Sequence, residues 1–230
     1  MLSVGHGFIL PPPHLPHFLP LVQGTPLYSE PRLLEHVASV CCARNRVPPS
    51  ALPMLLAGTT HAVTGLDVLD PYRLERRQIS VGPPAFDVDL DVHGSDEVFS
   101  YLLGNSPITL AMLRGLGRSG LRGHAFVRRA SVAQRDALAG SGIVWLEQPK
   151  DGRTALARSR LVIHHGSMTT AEESLFLGRP QVVVPLYLEH LFTARALSMV
   201  RVAKVLRPPH DVSQIAHEIA TAYADSSMYD

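Results

Sequence analysis

A chain of 230 residues with 46% hydrophobic content holds one large domain or two small ones, with enough apolar side chains for a core. Its 21 Lys and Arg balance 20 Asp and Glu to a formal charge of +1, which excludes the basic footprint of a nucleic-acid binder. No run of about eighteen apolar residues suggests a membrane span, and the neighbouring Cys41 and Cys42 make no disulfide scaffold, so a reducing, cytoplasmic setting is expected.

The chain changes character near residue 93. Before it lie most of the prolines, including "PPPHLPHFLP" (11–20), expected as a polyproline loop packed on its own protein. "PRLLEHVASVCCARN" (31–45) predicts an amphipathic helix, with Leu33, Leu34, Val37, Val40 and Cys41 near helical spacing. A short helix is expected over 50–57 and a strand at "QISV" (78–81). "PPAFDVDLDVHG" reads as an extended connector whose Asp87, Asp89 and Asp91 share one side, more in keeping with a solvated edge than with a cation site.

Beyond residue 95 strand-like and helix-like segments alternate. "EVFSYLL", "RGHAFVRR", "IVWLEQ", "LVIH", "VVVPL" and "VAKVL" read as strands. "PITLAMLRGLGRSG", "SVAQRDALAGSG", "GRTALARSR", "EHLFTARALSMV" and "DVSQIAHEIATAYA" read as helices. Strands alternating with helices of about ten residues indicate parallel βαβ crossovers, hence an α/β fold with a doubly wound, Rossmann-like sheet. Near-continuous apolar strands agree, because parallel strands are covered on both faces. The expected division is residues 1–93 and 94–230.

The segment from Leu161 to Leu186 carries the chemistry. An apolar strand (161–164) meets His164, His165, Gly166, Ser167, Met168, Thr169 and Thr170, then a helix expected to begin around Ala171. Thr170 with Glu173, or Thr169 with Glu172, offers a capping box, while Gly178 and Pro180 mark the helix end. In a parallel sheet such a turn directs free N–H groups and the positive helix end outward, which favours a phosphate. Two readings therefore stand: a phosphate cradle, or a well-capped helix with structural histidines. The dinucleotide, P-loop and serine-hydrolase glycine patterns are absent. Zinc is poorly served, since His164, His165 and His190 lack ligand-type spacing, so no metal site is expected.

"HHGSMTTAEESLFLGRPQVVVPLYLEHLFTARAL" (164–197) resembles the donor-binding segment of nucleotide-sugar-dependent glycosyltransferases of the GT-B fold, the UDP-glycosyltransferase superfamily with its bacterial natural-product members. Their pattern runs H-G-G-x-G-T, a helical glutamate, G-x-P, an apolar strand ending in proline, an acid–glutamine pair and Asn-Ala. His165, Gly166, Thr170, Glu173, Gly178, Pro180, Pro185 and Ala194 fall in register. "VFSYLL" is similar to the first strand of the family's C-terminal domain, and "WLEQP" to its base-facing loop. "GFILPPP", "LDPY" and "VGPP" are similar to the end of the N-terminal domain.

The resemblance implies a donor domain at 94–230 and the remnant of an N-terminal, acceptor-side domain at 1–93. His165 and residues 166–170 would hold the donor diphosphate, Glu173 the ribose hydroxyls, and Glu189 with His190 the sugar. Two places are open to Trp145, near the base or in the core. Ser167 and Thr169 stand where the family has glycines, His190 where it has glutamine, and Thr193 where it has asparagine. The implied reaction moves a hexosyl group from a nucleoside-diphosphate sugar to a hydroxyl of a small lipophilic acceptor, with no other cofactor. The family's acceptor-activating histidine falls near the start of its N-terminal domain, so no catalytic residue is assigned and His6 is not given that role. A partial chain is implied, with a second chain as one source of the missing part. A nucleotide-sugar epimerase of the same fold and a non-catalytic nucleotide-sugar-binding module are the alternatives.

Overall fold

A computed structural model describes residues 2–21, 24–25, 27–58, 60–83, 96–207 and 211–228. The chain divides into two compact units, Met1–Pro84 and Ala85–Asp230. Asp87, Asp89, Asp91 and residue 93, the expected boundary, lie outside the described residues.

In the N-terminal unit, strands β1 (Leu2–His6) and β2 (Thr60–Thr64) pair in parallel. Between them come helix α1 (Glu30–Ala43) and the short helix α2 (Met54–Ala57). Helix α1 forms where its spacing predicts, yet it buries none of its residues, and Val40 is 53% exposed. The "QISV" strand does not form; Ser80 and Gly82 make only isolated bridges to Val63 and Gly65. Leu10, Pro11, Pro12 and Leu15 are buried, so the proline-rich loop does pack on its own unit. A buried ion pair between Arg76 and Asp70 ties it down, with Arg76 Nη2 donating to Leu10 O at 2.9 Å and Tyr72 N–H to Asp70 Oδ1 at 2.9 Å.

The C-terminal unit is a parallel sheet flanked by helices. Its elements are β3 (Glu97–Leu103), α3 (Pro107–Arg118), β4 (Gly123–Arg128), α4 (Val132–Asp136), β5 (Ile143–Trp145), α5 (Pro149–Arg158) and β6 (Ser159–His164). Then follow α6 (Met168–Phe176), β7 (Gln181–Val183), α7 (Leu188–Met199), β8 (Ala203–Val205) and α8 (Val212–Ala224). The strand order β5-β4-β3-β6-β7-β8 is the doubly wound arrangement, reversing direction between β3 and β6. The expected parallel α/β sheet is therefore present.

The period of two along β3 decides which helix covers which face. Val98 and Leu102 join Met112, Leu113, Leu116, Leu161, Ile163, Ile215 and Ile219 in the main core, under α3 and α8. Phe99 and Tyr101 turn to the other face with Leu156 and Val162, under α5. Fully burying one such leucine contributes about 1.5–3 kcal/mol. Helices α3 and α8 touch through Gly115, where any Cβ would strike Ile215.

Helix α4 and strand β5 fall furthest short of their sequence patterns. Helix α4 stops at Asp136 and continues only as turns to Gly140, whose φ of +73° breaks the helix. Strand β5 ends at Trp145, because Pro149 already occupies the first turn of α5.

Candidate functional site

The sheet's switch point places the Leu161–Thr170 segment at the crevice between the carboxyl ends of β3 and β6, where open α/β sheets bind ligands. Strand β6 ends at His164, and Gly166 makes the bend with φ +98°. A Cβ at Gly166 would lie 2.9 Å from His190 O and 3.0 Å from Val183 Cγ1, so both backbone angle and space require glycine.

The helix starts earlier than its sequence suggests. Ser167, with φ −62° and ψ 140°, is the N-cap and α6 begins at Met168, so Thr169 and Thr170 lie inside the first turn. Neither expected capping box forms. Ser167 Oγ donates to Thr170 Oγ1 at 2.9 Å instead of accepting a backbone N–H. The first-turn amides thus keep the positive helix end without a side-chain cap, and no acid of the first turn neutralises it. The far end closes as expected: Gly178 (φ +63°) donates to Leu175 O at 3.0 Å and Arg179 N–H to Ser174 O at 2.7 Å, a Schellman turn.

The histidines frame this turn in fixed protonation states. Gly166 N–H donates to His164 Nδ1 at 3.0 Å, so that nitrogen is bare and Nε2 carries the proton it gives to Gln181 Oε1 at 2.8 Å. Burial holds the His164 pKa down to about 4. His165 is the opposite tautomer, because its Nδ1 contacts the carbonyl of Val184 at 2.9 Å, which can only accept. Its Nε2 is buried without a hydrogen-bond partner, and burial lowers its pKa. The His190 ring lies parallel to it, with centroids 6.5 Å apart, and Tyr187 tilts against His190 at 5.0 Å. Burial brings the pKa of His190 to about 4 as well.

Beside the turn opens a cleft of about 360 Å³, within the range of small-ligand sites. Ser167, Thr169, Thr170 and Glu173 form one wall, and Phe99, Tyr101 and Phe126 face them from β3 and β4. Tyr101 and Phe126 pack with centroids 5.6 Å apart. Helix α5 closes the cleft with Pro149, Gly152, Arg153 and Leu156. Burial raises the pKa of Glu173, opposed by Arg153, whose Nε stands 3.4 Å from Glu173 Oε1.

Of the residues singled out by sequence, four meet in this cleft. His165, Gly166 and Met168 stand outside its lining, Gly166 as the bend and Met168 as a buried first-turn side chain. Glu189 and His190 occupy the first turn of α7. Trp145 lies elsewhere. Its strand partner Ala125 belongs to the main core, and its own ring packs there beneath the Arg135 guanidinium at 5.3 Å, on the sheet face opposite α5. The aromatic wall and Arg153 escape the sequence reading. Their signals were the period of two in Phe99 and Tyr101, and the i, i+3, i+4, i+7 spacing of Pro149, Gly152, Arg153 and Leu156.

Solved structures resemble the chain closely enough to fix its fold. A kitacinnamycin glycotransferase superimposes with a TM-score of 0.66 at 16% identity, over 86% of this chain and 56% of that one. The fold is that of the GT-B glycosyltransferases. The GT-B glycosyltransferase VinC, solved in complex with DTDP, gives 0.62 at 17% identity over 86% of this chain and 51% of that one. The spinosyn rhamnosyltransferase SpnG, complexed with spinosyn aglycone, gives 0.62 at 20% identity over 86% and 56%. The chain spans about half the length of these structures, and the comparisons lend no support to a second chain supplying the remainder. No protein-family model and no curated protein matches the sequence. Among the described residues no helix is long and apolar enough to cross a membrane.

Proposed function

We propose that the C-terminal unit is the donor-binding portion of a glycosyltransferase that moves a hexosyl group from a nucleoside-diphosphate sugar to a hydroxyl of a small lipophilic acceptor. One observation carries the reading: the uncapped first turn of α6 opens at the sheet's switch point onto the same cleft as the buried carboxyl of Glu173. In this reading the first-turn amides and the hydroxyls of Ser167 and Thr169 receive the diphosphate. Glu173, three residues past Thr170 on the helix, accepts the ribose hydroxyls. The base lies against the aromatic wall of Phe99, Tyr101 and Phe126. His165 and His190 border the sugar end with Glu189.

Chemically, displacement at the anomeric carbon breaks the bond to the diphosphate oxygen while the acceptor oxygen bonds to that carbon. The helix terminus stabilises the charge gathering on the departing diphosphate. We give the acceptor-deprotonating role to no residue of this chain. VinC bound to DTDP and SpnG bound to an aglycone lend the reading its substrate classes.

Calorimetry with UDP and dTDP tests it. Heat of binding is expected with at least one of them, weakened about tenfold or more in Glu173→Gln by loss of a charged hydrogen-bond acceptor. Folded protein that takes up neither nucleotide removes the reading.

A further inference from the structure

A diphosphate at the first turn of α6 brings concentrated negative charge, and most of the cleft offers little against it. The helix terminus supplies about half a positive charge. His164 has committed both ring nitrogens to Gly166 and Gln181. His165 spends its N–H on Val184 O, so its buried Nε2 is a bare acceptor that an anion would repel. Among the described residues lining the cleft, only Arg153 carries a permanent positive charge.

Arg153 is held loosely. Its side chain is 61% exposed and its Nε stands 3.4 Å from Glu173 Oε1, longer than a tight charge-assisted contact. Glu173 lies three residues past Thr170, about 4.5 Å along the helix axis. A guanidinium resting on Glu173 is therefore one side-chain swing from the first-turn amides. The same contact occupies the carboxylate that the donor reading assigns to the ribose.

We propose that Arg153 is an exchangeable clamp, neutralising Glu173 in the empty cleft and passing to the phosphate oxygens when a nucleoside diphosphate enters, which frees the carboxylate for the ribose hydroxyls. The inference rests on the donor reading and adds to it a positioning residue and a selection rule. A nucleoside alone cannot draw the guanidinium away, and pyrophosphate alone leaves the released carboxylate unpartnered. Only a ligand carrying both groups satisfies both side chains.

The experiment compares wild type, Arg153→Gln and Arg153→Lys by calorimetry, with UDP against uridine and dTDP against thymidine, each variant first shown by circular dichroism to fold. Arg153→Gln is expected to lose about 10- to 100-fold in diphosphate affinity, the worth of a hydrogen bond to a charged group, with nucleoside affinity unchanged or raised because Glu173 is then free for the ribose. The salt dependence of diphosphate binding should flatten with it. Arg153→Lys should recover part of the loss, supplying the charge without the planar fork. Unchanged diphosphate affinity in Arg153→Gln, with wild type binding normally, overturns the clamp and leaves the donor reading standing. Increased affinity overturns it too, since Arg153 would then be a plug. Wild type that binds neither diphosphate removes both.

Discussion

Protonating His164 should loosen the turn that the whole site is built on. In the neutral ring Nδ1 accepts the Gly166 N–H and Nε2 donates to Gln181, so both nitrogens are used. An imidazolium would set a second donor against the Gly166 N–H. Burial holds the folded pKa down to about 4, with the neighbouring rings of His165 and His190 adding to the depression. In the unfolded chain the ring titrates near its ordinary value, about 6.5. The unfolded chain therefore takes the proton first. The contribution to stability is complete above about pH 6.5 and is lost as pH falls toward 4, amounting to about 3 kcal/mol. Over that interval one proton gives a slope of about 1.4 kcal/mol per pH unit. Trp145 is the only tryptophan and packs against the main core of the C-terminal unit, so its fluorescence reports that unit's unfolding in urea. His164→Asn keeps an oxygen that can accept the Gly166 N–H but does not titrate. Other groups that change charge here, including His165, His190 and Glu173, contribute to both proteins, so the difference isolates His164. From about pH 7.5 to about pH 4.5 the variant's stability should fall less steeply than that of the wild type. Parallel slopes would refute the assignment of His164 as a neutral, doubly bonded brace.

Three further outcomes follow from the same geometry. Gly166→Ala forces a Cβ to 2.9 Å from His190 O at φ +98°, a strain of about 1–3 kcal/mol, so Tm should drop by roughly 2–12 °C in a thermal melt, and an unchanged Tm would show that the bend relaxes freely. Burial lowers the pKa of His165, whose Nδ1–H is spent on Val184 O, so the ring stays neutral above its ordinary range and UDP affinity measured calorimetrically should not rise as pH falls from about 8 to about 7; a rise would show that the ligand draws a proton to Nε2. Trp145→Phe should leave UDP affinity within about twofold, since the ring is on the sheet face opposite the cleft, and a tenfold loss would contradict that placement.

Local and periodic features were legible in the sequence, and cross-element features were not. Alternation of strand and helix patterns was enough for the parallel sheet, because each crossover carries its own period. The Gly178 stop could be read because a Schellman turn is decided within a few residues. The start of α6 was misplaced for an equally local reason. A Thr followed three residues later by Glu satisfies the capping-box pattern, but that box needs the glutamate to fold back on the cap, and Glu173 instead faces the cleft and Arg153. Helix α1 shows the limit of periodicity, since an apolar stripe states that a face can be covered without stating what covers it. The cleft walls were beyond reach because Phe99, Phe126, Arg153 and Ser167 come from four elements, and only the order β5-β4-β3-β6 brings them to one place. Trp145 turned on parity alone: one step along β5 separates the core face from the face under α5.

The two imidazoles that break the apolar run serve the turn first as uncharged struts. A charged histidine held beside the first turn of α6 would weaken the empty site by repelling the helix dipole, and its burial would cost several kcal/mol. Neutral rings avoid both penalties and lock the bend through hydrogen bonds whose directions are set by Gly166 and Val184. Charge is then delivered only on demand, by a surface arginine that is already neutralised on Glu173. A site assembled this way is rigid where geometry must be exact and mobile where charge must move. That division predicts separable defects: substitutions at His164 or Gly166 should act on stability and binding together, whereas substitution at the exposed Arg153 should act on binding alone.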